Sequence, residues 1–74
     1  MSKLIRMDRT GHTTLAEWSR TDLEGRERAI AALERELEQG MVASVSKPDG
    51  TAEVTRMIPQ DAELIVLRRP IAGG

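Results

Sequence analysis

The residues with the clearest chemical use close the sequence: Arg68-Arg69-Pro70-Ile71-Ala72-Gly73-Gly74 runs off an apolar segment and ends in two glycines. A terminal glycine pair adds no side chain to a core, redirects no following chain, and costs extra backbone entropy to order. Its physical use is slimness, because a Gly-Gly end can enter a channel too narrow for a Cβ and present a carboxylate to an enzyme bound there. A frayed end is the other reading of the same residues. Pro70 stiffens the exit from the preceding segment, and Ile71, Ala72, Gly73 and Gly74 make a thin, extensible arm. Residues 1–69 are accordingly expected to form one domain and residues 70–74 a flexible tail.

The remaining reactive side chains form no catalytic set. His12 is the only histidine, with no serine, cysteine or carboxylate constellation beside it in sequence, and reads as a solvated turn residue. There is no cysteine, which excludes disulfides, thiolate metal sites and a cysteine nucleophile and suits a reducing cytoplasm. No metal site, bound cofactor or catalytic residue is expected. Eleven basic and 12 acidic residues nearly cancel, and phenylalanine and tyrosine are absent, which argues against a nucleic-acid binder. No apolar run reaches the ~20 residues of a membrane span, and no signal-peptide core is present. A chain of 74 residues makes one small domain.

These residues need elements to position them. Lys3–Met7 reads as a strand, Asp8–His12 as a turn in which Gly11 supplies positive φ, and Thr13–Trp18 as the returning strand, with the facing of Leu15 and Trp18 left open and Trp18 a core candidate. Thr21-Asp22-Leu23-Glu24 has capping-box spacing, with the Thr21 hydroxyl as cap, and predicts a helix from about residue 22 to about residue 39. Leu23, Ile30, Leu33 and Leu37 fall on one stripe with Ala29 beside it. Glu24, Arg28, Glu34, Arg35 and Glu38 look outward, Gly25 weakens the first turn, and Gly40 sits where a left-handed cap belongs. Met41–Ser46, the turn Lys47-Pro48-Asp49-Gly50 and Thr51–Met57 predict a hairpin. After a turn at Pro59–Ala62, Leu64-Ile65-Val66-Leu67 is apolar throughout and predicts a central strand.

The order ββαβββ with a single helix predicts an α+β fold in which the first and last strands lie parallel and adjacent at the centre of a mixed sheet, a β-grasp arrangement. One helix covers one face, so part of the last strand is expected on an open face, where an apolar patch suits a partner. The acidic and basic side chains of the helix read as a solvated face.

Thr10-Gly11-His12-Thr13-Thr14-Leu15 resembles the first hairpin of ubiquitin, and Glu63-Leu64-Ile65-Val66-Leu67-Arg68-Arg69 with Gly73-Gly74 resembles its last strand and tail. The ending is also similar to the bacterial sulfur carriers, the molybdopterin-synthase small subunit and the thiamine-biosynthesis carrier: Asp61-Ala62-Glu63-Leu64-Ile65-Val66 stands at their acidic turn, and Pro70-Ile71-Ala72-Gly73-Gly74 matches their finish. The resemblance implies a carrier or modifier rather than an enzyme. Gly74 would be adenylated by a ThiF-like activating enzyme using ATP, then converted to a thiocarboxylate for sulfur transfer or to a thioester for conjugation to a lysine. A deconjugating metallopeptidase or a sulfur-accepting protein would be a further partner. Counted back from the glycines by the same resemblance, Ile65 and Leu67 face the helix, and Leu64, Val66 and Arg68 face the open side. Arg68 and Arg69 could steer an acidic partner surface, and with Leu64 and Val66 they are the partner-binding candidates.

Three departures accompany the resemblance. The stretch between the helix and the last strand is a plain hairpin, without ubiquitin's longer irregular excursion. Arg6 falls at an inward position of the first strand, which calls for a register shift or bulge. Lys3 and Lys47 are the only lysines, so polyubiquitin-type chain building is not implied. A different class of reading is a β-grasp interaction module, a small subunit of a larger assembly whose glycine end is incidental.

Overall fold

The structure is a computed structural model that describes residues 1–70. Its elements are β1 (Ser2–Asp8), β2 (Gly11–Trp18), α1 (Leu23–Glu38), β3 (Val42–Ser46), β4 (Ala52–Thr55) and β5 (Leu64–Arg68). They form a five-stranded sheet in the order β2-β1-β5-β3-β4, with β1 and β5 parallel and the other pairs antiparallel. This is the expected α+β, β-grasp arrangement, with β5 at the centre. Among the described residues no helix is long and apolar enough to cross a membrane.

Local chemistry explains the boundaries. Gly11, Gly40 and Gly50 all adopt positive φ, which turns the first hairpin, ends the helix and turns the second hairpin. At the helix end the Gly40 N–H donates to the Leu37 carbonyl at 3.0 Å and the Met41 N–H to the Glu36 carbonyl at 3.1 Å, a Schellman closure. At the other end the cap is Asp22 rather than Thr21: its Oδ1 accepts the Gly25 N–H at 2.9 Å. β4 is also shorter than the segment expected to form it. The Thr55 hydroxyl donates to the Met57 carbonyl at 2.7 Å, closing a local turn where the strand would have continued.

The core lies between α1 and one sheet face, where Leu4, Leu33, Ile65 and Leu67 are the largest fully buried side chains. Trp18, Ala29, Ala43, Val45, Ile58 and Ala62 complete it. Leu23 was expected in this core and is instead 72% exposed. The buried stripe of α1 is Gly25, Ala29, Leu33 and Glu36, which places Leu23 at the far margin of the apolar arc on the first turn, while Ile30 and Leu37 pack at its flank. Residues between β4 and β5 close one end of the core: Arg26 donates to the Ile58 carbonyl at 2.7 Å, and the Ser2 hydroxyl donates to the Ala62 carbonyl at 2.8 Å.

Gly25 has a second role beyond loosening the first turn. A Cβ built there would overlap the Asp22 Oδ2, lie 2.8 Å from the Asp22 Cγ and 3.0 Å from the Trp18 Cβ. Helix and β2 therefore meet at a glycine because no side chain fits. In an ordinary helix interior Gly→Ala stabilises by roughly 0.5–1 kcal/mol. Here Gly25→Ala is expected to displace the Asp22 cap, worth ~0.5–2 kcal/mol, and to press on Trp18. A fall in melting temperature of several degrees is the expected result, on the scale of about 4–8 °C per kcal/mol for a domain this small. A rise on thermal denaturation would contradict the close approach.

Candidate functional site

β5 is hydrogen-bonded along both edges, to β1 and to β3, so its side chains are held in fixed rows across the sheet. Ile65 and Leu67 are fully buried beneath α1, whereas Leu64 and Val66 are half-buried and Arg68 is exposed on the other face. Pairing extends that open face to the sheet's edges. Thr14 pairs with Ile5, Ile5 with Val66, Val66 with Ser44 and Ser44 with Val54, a single row crossing all five strands. One step toward the tail, His12 pairs with Met7 and Arg68 with Val42. One step away, Lys3 pairs with Glu17 and Leu64. Val54 is 68% and Met7 41% exposed, so the open face carries an apolar band bordered by Arg68 and the Lys3–Glu17 ion pair.

Leu64, Val66 and Arg68 thus share a face, as expected, but Arg69 does not join them. It lines a cleft with Arg6 and Glu36, on the helix side of the sheet. Alternation along an extended chain separates adjacent side chains onto opposite faces, so two neighbouring arginines serve two surfaces. Ile5, Met7 and Val54 are open-face residues that the sequence reading passed over. The alternation of Lys3, Ile5 and Met7 against the buried Leu4 was the available signal in β1. Nothing local marks Val54, whose place depends on the β3–β4 register.

The β1–β2 register shifts between Leu4 and Ile5: Leu4 faces Ala16 and Ile5 faces Thr14, so Leu15 is the extra residue of a bulge on β2. This shift does not turn Arg6 outward. Arg6 Nη1 donates to Glu36 Oε1 at 3.0 Å, and the Glu36 side chain is 8% exposed. Burying either charge alone would be costly, and each supplies the other's partner. Glu36 was not among the residues singled out from sequence, since one acid among many on a charged helix carries no local mark.

His12 lies exposed at the start of β2, across from Met7. Trp18 is 4% exposed and belongs to the core. Among the described residues no group of three or more histidine, cysteine, aspartate or glutamate side chains is placed to hold a metal ion. Pro70 is exposed beyond the end of β5. Ile71, Ala72, Gly73 and Gly74, the tail candidates, lie outside the described residues.

Asp8 and Asp49 share one device at the two hairpin turns. Each carboxylate accepts the hydroxyl and the backbone N–H of the threonine two residues on, at 2.7 and 2.8 Å from Thr10 and at 2.6 and 2.9 Å from Thr51. The hydroxyl first, and the backbone N–H second, hold both carboxyls below the usual aspartate value of 3.8. A depressed folded-state pKa means that the turns' contribution is present above the unfolded value and is lost as pH falls through the lower folded one. NMR titration of the carboxyl carbons is expected to give midpoints for Asp8 and Asp49 below that of aspartate in a peptide; midpoints at the peptide value would rule the device out.

Comparison with known proteins gives no match: no protein-family model, curated protein or solved structure is similar enough to this chain to place it in a family.

Proposed function

We propose that this chain is a ubiquitin-like carrier or modifier whose C-terminal Gly74 is activated by a ThiF-like adenylating enzyme. The observation that carries the reading is the position of β5. It is the central strand, bonded on both edges and anchored by Ile65 and Leu67 in the core, and the sequence continues from its last residue, Arg68, through Pro70 to Gly73-Gly74. A rigid strand fixes where the tail begins, and the glycines keep the end thin.

The proposed chemistry needs a free carboxylate at Gly74. That carboxylate is a poor electrophile, because its charge repels nucleophiles and its leaving group would be oxide. Attack of a Gly74 oxygen on the α-phosphorus of ATP forms a carboxyl–phosphate anhydride and releases pyrophosphate. A sulfur nucleophile then attacks the carbonyl carbon and AMP departs. Sulfide-type sulfur leaves a thiocarboxylate for transfer to an acceptor. An enzyme cysteine leaves a thioester, from which a lysine amine takes the carbonyl to give an isopeptide bond that a metallopeptidase could hydrolyse. The chain itself contributes geometry, with ATP bound by the activating enzyme.

The open face suits recognition in this scheme. Val66, with Ile5 and Val54 in the same row and Leu64 in the next, offers apolar contact next to Arg68. The same band favours the second reading, an interaction module that binds through its sheet and makes no use of its glycines. ATP–pyrophosphate exchange with the adenylating enzyme of the same source, followed by intact-mass analysis for a thiocarboxylate or a conjugate, separates the two. Exchange that depends on Gly74 supports the carrier. No exchange, with the open face still capturing a partner, supports the module.

A further inference from the structure

A cleft of about 760 Å³ opens between the β1–β2 turn and the C-terminal end of α1, beside the exit of β5. Arg6, Arg9 and Arg69 line it together with Met7, Met41 and Gln39, and Asp8 and Glu36 are its carboxylates. Both carboxylates are already engaged. Glu36 holds Arg6 at 3.0 Å, and Asp8 accepts two hydrogen bonds from Thr10. The cations are not matched in the same way. A guanidinium carries five N–H donors, and Arg6 donates one of them to Glu36. Among the described residues no carboxylate lies within 4.0 Å of the Arg9 or Arg69 side-chain nitrogens.

We propose that this cleft docks an acidic peptide segment of a partner protein, with Arg9 and Arg69 receiving carboxylates and Met41 receiving an apolar side chain between them. Three features select this occupant. The arginines come from β1, the first turn and the exit of β5, so the fold gathers positive charge that the nearly neutral sequence does not concentrate. Guanidinium forks match the planar carboxylate in bidentate pairs. The cleft is much larger than one carboxylate or phosphate group, and its methionine adapts to irregular apolar side chains. None of Leu64, Val66 and Arg68 lines the site, and it does not depend on the chemistry assigned to Gly74.

The test is an NMR titration of the ¹⁵N-labelled full chain with a capped peptide of alternating glutamate and leucine, and with its glutamine counterpart. The expected result is amide shifts confined to the cleft, that is to residues 6–10, Glu36, Gln39, Met41 and Arg69, with the glutamate peptide, weakening as salt rises. Arg9→Glu together with Arg69→Glu is expected to lower affinity about tenfold or more, with the rest of the spectrum unchanged because both side chains are exposed. Equal shifts with the glutamine peptide, shifts centred on Ile5 and Val66, unaltered affinity in the double variant, or no shifts would overturn the proposal. So would a single-stranded oligonucleotide that binds the same residues more tightly than the peptide. A chain lacking Gly73 and Gly74 is expected to bind the peptide like the full chain, and loss of binding there would count against the cleft. A failure of Gly74 activation leaves these readouts untouched.

Discussion

A chain lacking Gly73 and Gly74 should melt where the full chain melts and give no ATP-dependent pyrophosphate exchange. Stability should hold because neither residue has a side chain to bury, and the described core is complete within residues 4–67. Activity should vanish because the terminal carbonyl would be withdrawn from the nucleotide by about 7 Å, at ~3.3–3.6 Å per extended residue. A misplacement of ~1 Å can already cost about a hundredfold in rate. Gly73→Val should come close to the deletion, since it restores the reach but adds a branched side chain where the channel must be narrow. Calorimetry and exchange kinetics on the three chains check both halves. Exchange by the truncated chain at the full rate would refute the carrier reading, and a large loss of melting temperature would refute the separation of body from tail.

Leu67→Ser should unfold much of the protein, whereas Val66→Ser should lower the melting temperature only slightly. The two residues are neighbours on one strand paired on both sides, and neither substitution removes a backbone hydrogen-bonding group, so the difference isolates the face. Leu67 is fully buried between α1 and the sheet, and truncating such a side chain costs roughly 2–5 kcal/mol before the added hydroxyl is counted. A domain this short holds only about 3–5 kcal/mol in total, so the loss is comparable to the whole stability. Val66 is half-buried and faces solvent between Ile5 and Ser44. Its replacement removes little contact and should instead weaken capture of whatever binds the open face. Thermal melts followed by circular dichroism decide the matter, and equal losses would mean that the open face is structurally covered.

The sequence alone settled what depends on a few adjacent residues. Gly11, Gly40 and Gly50 reach positive φ where a turn or helix end was expected, because that backbone region disfavours a Cβ whatever surrounds it. The unbroken apolar run Leu64–Leu67 identified the central strand, and the element order then restricted a one-helix chain to few topologies. Alternation separated Ile65 and Leu67 from Leu64 and Val66.

What the sequence did not determine depends on where distant segments meet. The Arg6–Glu36 pair spans 30 residues, and neither member is locally unusual; only the crossing of α1 over β1 makes an inward arginine tolerable. Gly25 read as a weak helix residue until Trp18 and the Asp22 cap occupied the space of its missing Cβ. Leu23 had the right type for the core, but the buried stripe of Gly25, Ala29, Leu33 and Glu36 leaves it beyond the margin of the helix face that meets the sheet. Arg68 and Arg69 looked like one basic pair and became parts of two surfaces: alternation puts neighbours on opposite faces, and the packing of distant segments decides what each face meets. Tertiary structure had the last word at these positions because burial and charge pairing are properties of contacts, and the register that creates a contact is fixed by the whole sheet at once.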